Sequence, residues 1–203
     1  MISPRPARRW PAYDGTGRLD AAGGWLFAQW NAYTPSDNFW ADAFDPAHPL
    51  TTPSRLNPSN PAILTALADA VLNLRAHHVA LDATYGDVQH ATRGGVAIPI
   101  PGCDTGCLNV IDTAGMGTDT DPLDAAPYGE VIDGSSLVMT TELTPTGPVS
   151  EGIVTYSQAS NPTSPWSANM TTLYSQGNWV PLAFTPTELK ADRAATSIIL
   201  TVP

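Results

Sequence analysis

The clearest pattern along the chain is an apolar stripe at helical spacing in its first third. In the stretch NPAILTALADAVLNLRAHHV, apolar residues recur three and four positions apart, which predicts a helix with one buried face. Asn60 is placed to cap this helix, and Pro61 to occupy its first turn, where a missing N–H costs nothing. The predicted stripe consists of Ile63, Leu64, Leu67, Val71 and Leu74.

An earlier helix is predicted over Gly17–Tyr33, with Asp20 as its cap. The pair Gly23–Gly24 weakens the helical signal, or marks a place where another backbone comes close. Residues 39–61 then have the composition of an irregular arm held by prolines and Asx-type turns. The residues at helical spacing in the first segment are Trp25, Leu26, Gln29, Trp30 and Tyr33.

Strand patterns dominate the second half of the chain. SSLVMTTEL and VSEGIVTYSQ flank TPTGP, which predicts an antiparallel hairpin. Short strands broken by Gly94–Gly95 are predicted in TYGDVQHATRGGVAIPIPG, and SIILTV is a candidate last strand. Helices in about 17–80 and strands and long Pro-rich loops in about 85–203, with no βαβ alternation, predict an α+β fold.

Composition and charge narrow the classes of partner. The 203 residues include 9 Lys and Arg against 19 Asp and Glu, a net charge of −10, so phosphate backbones are repelled and no nucleic acid partner is expected. No apolar run reaches membrane-spanning length, and no membrane partner is expected. The start, MISPRPARRWPAYDG, lacks the apolar core of a signal peptide, and folded-looking sequence follows as though the chain began within a larger protein.

The two cysteines, Cys103 and Cys107, lie close together in PGCDTGCLN. A metal site needs about four ligands, and no second Cys/His pair follows at finger spacing. A redox Cys-x-x-Cys motif has two intervening residues, whereas this loop has three. We predict a short-loop disulfide of an exported protein, with two free thiols as the alternative.

Two other groups of residues have side chains that can bind metal ions, but their positions do not favour a metal site. His77 and His78 are adjacent at the end of the predicted helix, where neighbouring side chains do not converge and where cations favour the carbonyl end. Asp119, Asp121 and Asp124 lie in a Gly/Asp-rich loop over 111–130 that lacks the central glycine of a hand-type calcium loop. We therefore predict no metal ligands in this chain.

The candidate nucleophiles also lack the sequence context that catalysis requires. Ser3 has the position of a processed N-terminal nucleophile, but Pro4 and a basic run follow it in place of an apolar strand. Ser135 and Ser136 begin a strand in DGSSLV, without the Gly-x-Ser-x-Gly elbow. No phosphate loop or dinucleotide fingerprint is present. We predict no catalytic and no cofactor-binding residues here.

Five phrases in order resemble the C-terminal part of the β subunit in the penicillin acylase family of N-terminal-nucleophile amidohydrolases. The similarity is to the branch of acyl-homoserine-lactone and aculeacin-type lipopeptide acylases, and it runs from about Trp10 to Arg193. It implies a single partial domain over 1–203, the C-terminal portion of an αββα fold. The phrases are YDGTGRLDAAGGWLFAQW, FDPAHPLTTPSRLN, ALADAVLNLRAHHVALDATYGDVQHATRGGVAIPIPG, GSSLVMTTELTPTGP and YSQASNPTSP with LYSQGNWVPLAFTPTEL.

The resemblance implies amide hydrolysis by a serine that self-cleavage exposes, with its own α-amine as base and an asparagine at the oxyanion. It implies that these residues, and any calcium ligands, lie upstream of Met1. The implied partner is that missing N-terminal part, and the implied location of the whole enzyme is extracellular or periplasmic. We expect a scaffold segment that is inactive alone. The alternative is a non-catalytic secreted binding module that uses exposed aromatics.

Residues 156–189 are rich in aromatics and prolines, and Glu188 is their one charge. By resemblance this segment wraps the outside of the nucleophile domain, so Trp166 and Trp179 are expected to be buried, each contributing about 3 kcal/mol or more. The chain departs from the family at Trp166 and Asn169–Met170, where relatives have Ser-Pro-His followed by Asp-Gln. The aromatics of the segment are Tyr156, Trp166, Tyr174, Trp179 and Phe184.

Overall fold

The computed structural model describes residues 13–34, 38–104, 109–116 and 126–191. Contacts divide the chain into two compact units, residues 1–134 and 135–203. Helices mixed with antiparallel strands confirm the α+β class, while the αββα arrangement and the single partial domain stay predictions. The elements of the first unit are α1 (Gly24–Tyr33), α2 (Ala62–Ala76), α3 (Tyr85–Val88), β1 (His90–Arg93), β2 (Val96–Pro99), β3 (Ile111–Thr113) and β4 (Val131–Gly134).

The second unit is a three-stranded sheet with two short helices. Its elements are β5 (Leu137–Thr144), β6 (Gly147–Val154), α4 (Asn169–Ser175), β7 (Val180–Leu182) and α5 (Pro186–Ala191). Among the helices of the described residues, none has the length and apolar character needed to cross a membrane.

Helix α1 begins at Gly24 and not at Gly17, so the predicted start is wrong. Gly23 has a left-handed backbone with φ of 71°, which an α-helix cannot contain. Asp20 is not the cap; its carboxylate pairs with Arg18, Nη2 to Oδ2, at 2.7 Å. Residues 17–23 therefore form turns that lead into the helix.

Gly23 and Gly24, at the start of α1, allow neighbouring groups to come close, as the sequence predicts for this pair. The Gly23 N–H donates to the Asp82 carbonyl at 3.3 Å, so a second backbone does approach here. An ideal Cβ on Gly24 would lie 2.5 Å from Cε2 of Tyr85, whose side chain is buried. A larger residue at Gly24 would therefore displace that ring.

Helix α2 confirms the predicted stripe, with one correction. The Asn60 Oδ1 accepts a hydrogen bond from the Ala62 N–H at 3.1 Å, as predicted for a cap. Leu64 is 72% exposed and does not belong to the stripe, because it lies one residue, or about 100°, beyond Ile63. The buried positions of the helix are Ile63, Ala66, Ala70 and Leu74, and Leu67 and Val71 are partly buried.

The core of the first unit forms where α1 packs against α2. Its largest side chain is Trp25, which is completely buried and sits edge-on to the rings of Tyr85 and Tyr128. Tyr85, the first residue of α3, and Met116, which follows β3, complete this core. The buried members are Ala21, Trp25, Leu26, Ala28, Ala70, Leu74, Tyr85 and Met116.

Two small antiparallel pairs complete the first unit. Strands β1 and β2 pair from His90↔Pro99 to Arg93↔Val96 around Gly94–Gly95, whose φ angles are both positive, and this confirms the predicted strand break. Strand β3 pairs with β4 and corrects the prediction of a loop over 111–130. With three residues, β3 is too short to produce a strand pattern that can be recognised in the sequence.

The second unit confirms the predicted hairpin and adds a different third strand. Strands β5 and β6 pair from Leu137↔Val154 to Thr144↔Gly147. The neighbour of β6 on its other side is β7, with Ser150 opposite Leu182. The predicted last strand, SIILTV, lies outside the described residues.

Helices α4 and α5 correct the prediction that residues 85–203 contain strands and loops alone. Helix α4 contacts β6 and buries Thr171 and Tyr174. Helix α5 buries no side chain and depends on a capping box, in which the Glu188 N–H donates to Thr185 Oγ1 and the Thr185 N–H to Glu188 Oε2. The order is therefore not helices first and strands later.

Candidate functional site

Several of the predicted candidates lie outside the part of the chain that the structure describes. Cys103 lies among the described residues, and its backbone forms an isolated β-bridge with that of Val110. Cys107 lies outside the described residues, so the disulfide between Cys103 and Cys107 stays a prediction. The other candidates outside the described residues are Ser3, Asp119, Asp121 and Asp124.

The two helix-end histidines point to packing and not to metal. The ring of His77 stacks on that of Tyr128, with centroids 3.9 Å apart and planes 10° from parallel. His78 follows in a left-handed conformation, with φ of 58°, as the chain leaves α2. Within residues 13–34, 38–104, 109–116 and 126–191, no three His, Cys, Asp or Glu side chains are grouped to hold a metal ion. The resemblance places any calcium ligands upstream of Met1, so a calcium site in the whole enzyme stays a prediction, and calcium has no part in the function proposed below.

The histidine, carboxylate and hydroxyl of His90, Glu130 and Thr92 lie together but lack the order of a catalytic triad. Glu130 accepts both the Thr92 N–H and its hydroxyl at 2.8 Å, and His90 Nε2 lies 3.1 Å from Glu130 Oε2. His90 Nδ1 faces the Val88 carbonyl at 2.8 Å. Both ring nitrogens face oxygen acceptors and the hydroxyl binds the carboxylate, so the ring is not placed to take a proton from Thr92. The cluster joins β1 to the start of β4.

A partly buried polar network links α1, α2 and the segment before β4. The Trp25 indole N–H donates to the Tyr128 hydroxyl, which donates to Asn73 Oδ1, both at 2.9 Å. The Asn73 Nδ2 in turn donates to the Tyr33 hydroxyl at 3.2 Å. Burial raises the pKa of Tyr128, although the bond from Trp25 acts in the opposite direction. The phenol therefore stays protonated and acts as a structural link.

The other buried phenol, Tyr85, has the same structural character. Burial raises the pKa of Tyr85, and the neighbouring Tyr13 hydroxyl, 3.4 Å away, adds to the effect. The Tyr13 hydroxyl itself donates to the Thr16 carbonyl at 3.0 Å. A phenol that is neutral at all ordinary pH values is a poor nucleophile or general base.

The two serines at the start of β5 are held by their backbone. The Thr155 N–H donates to the Ser136 carbonyl at 3.2 Å, and the Thr155 hydroxyl donates to the Ser135 carbonyl. These bonds fasten the entry of β5 to the end of β6. They give no activation to either serine hydroxyl.

The most distinctive surface of the second unit is one side of its sheet, which we call the open face. Leu143 is 85% exposed, Leu137 60% and Met139 57%, whereas Val138 and Ile153, opposite each other on the other side, are buried. By strand alternation and register, the open face consists of Leu137, Met139, Thr141, Leu143, Pro148, Ser150, Gly152, Val154, Val180 and Leu182. The sequence analysis missed it, although the unbroken apolar run Leu-Val-Met in β5 was a signal for apolar residues on both sides.

Trp166 is 61% exposed in this chain, and its burial against the rest of an acylase stays a prediction. The turn that contains Trp166 is held by hydrogen bonds of its backbone groups. The Trp166 carbonyl accepts from the N–H groups of Gln158 and Ala159, and its N–H donates to Ser164 Oγ at 3.2 Å. Trp179 is half-buried, with its ring 6.2 Å from that of the buried Tyr174.

Comparison with known proteins connects these observations to a family. Residues 6–191 match the family model described as penicillin amidase. The chain is 36% identical over 184 residues to the aculeacin-A acylase of Actinoplanes utahensis, covering 89% of this chain and 22% of that protein. It is 30% identical over 190 residues to the acyl-homoserine lactone acylase PvdQ of Pseudomonas syringae pv. syringae (strain B728a), covering 90% and 23%. The chain thus spans less than a quarter of the length of these relatives.

Proposed function

The chain belongs to the penicillin amidase family, and we propose that it is a C-terminal scaffold segment of an acylase that hydrolyses an acyl amide bond. In this proposal the serine nucleophile, its α-amine base and the oxyanion asparagine come from sequence outside these 203 residues. The segment supports the nucleophile domain and does no chemistry alone. The assembled enzyme acts outside the cytoplasm, in the periplasm or medium.

One observation carries the proposal. About nine tenths of this chain aligns with proteins named as acylases, yet it accounts for less than a quarter of their length. The described clusters of polar side chains also have structural contacts: Tyr128 links two helices, and Glu130 joins the start of β4 to β1. A segment of this kind contributes stability and shape to a larger enzyme.

The reaction that follows from the proposal is acyl transfer to water. The serine oxygen attacks the amide carbon, its proton passes to the α-amine, and the tetrahedral oxyanion is held by the asparagine. The amine product leaves with that proton, and water then hydrolyses the acyl ester to a carboxylic acid and the free serine. None of these groups is assigned to a residue of this chain.

A segment-exchange experiment tests the proposal. Residues 6–191 of this chain replace the matching segment in the Actinoplanes utahensis aculeacin-A acylase, and the same acylase with the segment deleted is the control. We expect the exchanged protein to be secreted and to deacylate aculeacin A, and the deletion to be inactive. An inactive exchange, or an active deletion, would overturn the scaffold function.

The isolated 203-residue chain provides the second test. It is expected to leave acyl-homoserine lactones, penicillins and lipopeptides intact, because in this proposal the serine nucleophile and its α-amine base lie outside these residues. Turnover by the purified chain that a single Ser→Ala substitution abolishes would refute this expectation.

A secreted binding module is the second candidate function, and the exposure of Trp166 and Phe184 favours it, at 61% and 63%. Exposed aromatic rings on a turn are common contacts for sugars and lipids. Binding of the isolated chain to a glycan array or to lipid vesicles, lost in Trp166→Ala, would select this function. The same binding unchanged by the substitution, or no binding at all, would leave the scaffold function as the better account.

A further inference from the structure

We propose that the open face of the β5–β6–β7 sheet is the surface that packs against the rest of an acylase, an inference that rests on the function proposed above. The partner is a complementary apolar and uncharged surface of that remaining polypeptide. The face would form a sheet interface within one enzyme and would not be a site for a soluble ligand.

The chemistry of the face points to a partner of this kind. None of its ten positions has an ionisable side chain, and six of them are Leu, Met or Val. The acidic residues of the hairpin, Glu142 and Glu151, lie on the opposite side, at alternate positions of their strands. Charged residues are depleted at the centres of protein interfaces, and this face has none.

The geometry of the face also suits close packing. Gly152 is buried at its centre, in the middle strand, opposite both Met139 and Val180. An ideal Cβ on Gly152 would lie 3.0 Å from Leu182 Cδ1 and 3.5 Å from Met139 Cγ. The two neighbouring side chains therefore lean together over the glycine, and the one hydroxyl pair of the face, Thr141 and Ser150, is bonded to itself at 2.9 Å, so the surface is uncharged and mainly apolar.

The length of the relatives identifies the occupant. Roughly three quarters of each matched acylase lies outside the segment that this chain resembles. A protein that exposes leucines at 85% and 60% on one side of a sheet has an unusual free surface, and such faces mark contacts with other protein. The partner proposed for the face is therefore the remainder of the acylase polypeptide.

A methionine footprint tests this inference without altering the face. Met139 is 57% exposed in this chain, and Met116, at 9%, is a buried internal reference. The free 203-residue chain and the segment-exchanged acylase are treated with hydrogen peroxide, and the sulfoxide at each methionine is measured by peptide mass spectrometry. We expect oxidation of Met139 to be slower by roughly tenfold or more in the exchanged acylase, and oxidation of Met116 to be slow in both.

A matched pair of substitutions on β5 supplies the second readout. Leu143→Lys places a charge on the open face, and Thr140→Lys places the same charge at an exposed position on the other side of the strand. In the exchanged acylase we expect Leu143→Lys to reduce the yield of active enzyme by roughly tenfold, because a buried lysine is costly, and Thr140→Lys to leave it near the parent value.

The outcomes separate the inference from the function. An exchanged acylase that is inactive with its open face unaltered contradicts the proposed function. An active exchanged acylase in which Met139 oxidises as fast as in the free chain contradicts the interface alone. Protection of Met139 in the free chain, together with a dimer that Leu143→Lys dissociates, would assign the face to a second copy and also overturn the inference.

Discussion

Removing one hydroxyl group, in Tyr128→Phe, should destabilise the first unit far more than its size suggests. The hydroxyl accepts from the Trp25 indole and donates to Asn73, each at 2.9 Å. The phenylalanine ring can keep the stacking with His77 and the edge contact with Trp25. The substitution therefore isolates the hydrogen bonds from the packing.

The cost follows from the burial of the two partners. Trp25 has no exposed surface, so its N–H would have neither Tyr128 nor water as a partner, which costs about 1–3 kcal/mol. Asn73 is only half-buried, and water can replace the bond to its Oδ1 at a smaller cost. We expect a loss of about 2 kcal/mol in the free energy of unfolding.

Urea unfolding of the 203-residue chain, followed by far-UV circular dichroism, measures this loss. Tyr33→Phe is the matched control, since it removes a hydroxyl that bonds to Asn73 but leaves the Trp25 N–H paired, and it should cost less than about 1 kcal/mol. In a Trp25→Phe background, Tyr128→Phe should cost much less than in the parent. A loss below about 0.5 kcal/mol in the parent, or equal losses in both backgrounds, would refute the reasoning.

Three further predictions concern local structure. Gly24→Ala should cost about 1–3 kcal/mol in urea unfolding, because its Cβ would overlap the buried Tyr85 ring, and a Tyr85→Leu background should reduce that cost. Asn60→Ala should cost about 1 kcal/mol by the same measurement, because it removes the acceptor for the Ala62 N–H. Asn60→Asp keeps an acceptor there and should cost much less. Equal losses in the two variants would contradict the role of Asn60 as the cap. The pKa of Asp87 is held below its ordinary value of 3.8, mainly by the hydrogen bond from the Thr84 backbone N–H and next by the bond from the Thr84 hydroxyl. The stability that the Asp87 carboxylate contributes is therefore complete above that value and is lost as the pH falls through the folded-state pKa. Thermal unfolding followed from pH about 6 to about 2 should show a less steep acid loss in Asp87→Asn, and identical acid limbs would contradict it.

The long elements of the fold could be predicted because their patterns repeat. Helix α2 has 15 residues and each hairpin strand has eight, enough for apolar spacing or β-branched runs to exceed chance. Elements of three to seven residues, such as β3 and α4, do not give a comparable signal. Helix α5 is an exception, since Thr185-Pro186-Thr187-Glu188 contains a capping-box pattern with proline in the first turn that the sequence analysis overlooked.

The contacts within the candidate site were not accessible from the sequence, because they depend on distant partners. Trp25 and Tyr128 are 103 positions apart and neither marks the other in the sequence. Leu143 and Leu182 share a face only through the register of β5 with β6 and of β6 with β7.

The capping box of α5 has a consequence for how the end of this chain meets a neighbour. A six-residue helix with no buried side chain has no packing to hold it, so its order comes from the paired bonds of Thr185 and Glu188. Because those bonds already order the turn, less conformational entropy is lost when the turn docks. Leu189, which is 60% exposed, lies on this preorganised turn. Docking of this turn would then be faster and tighter than docking of an unstructured tail with the same leucine.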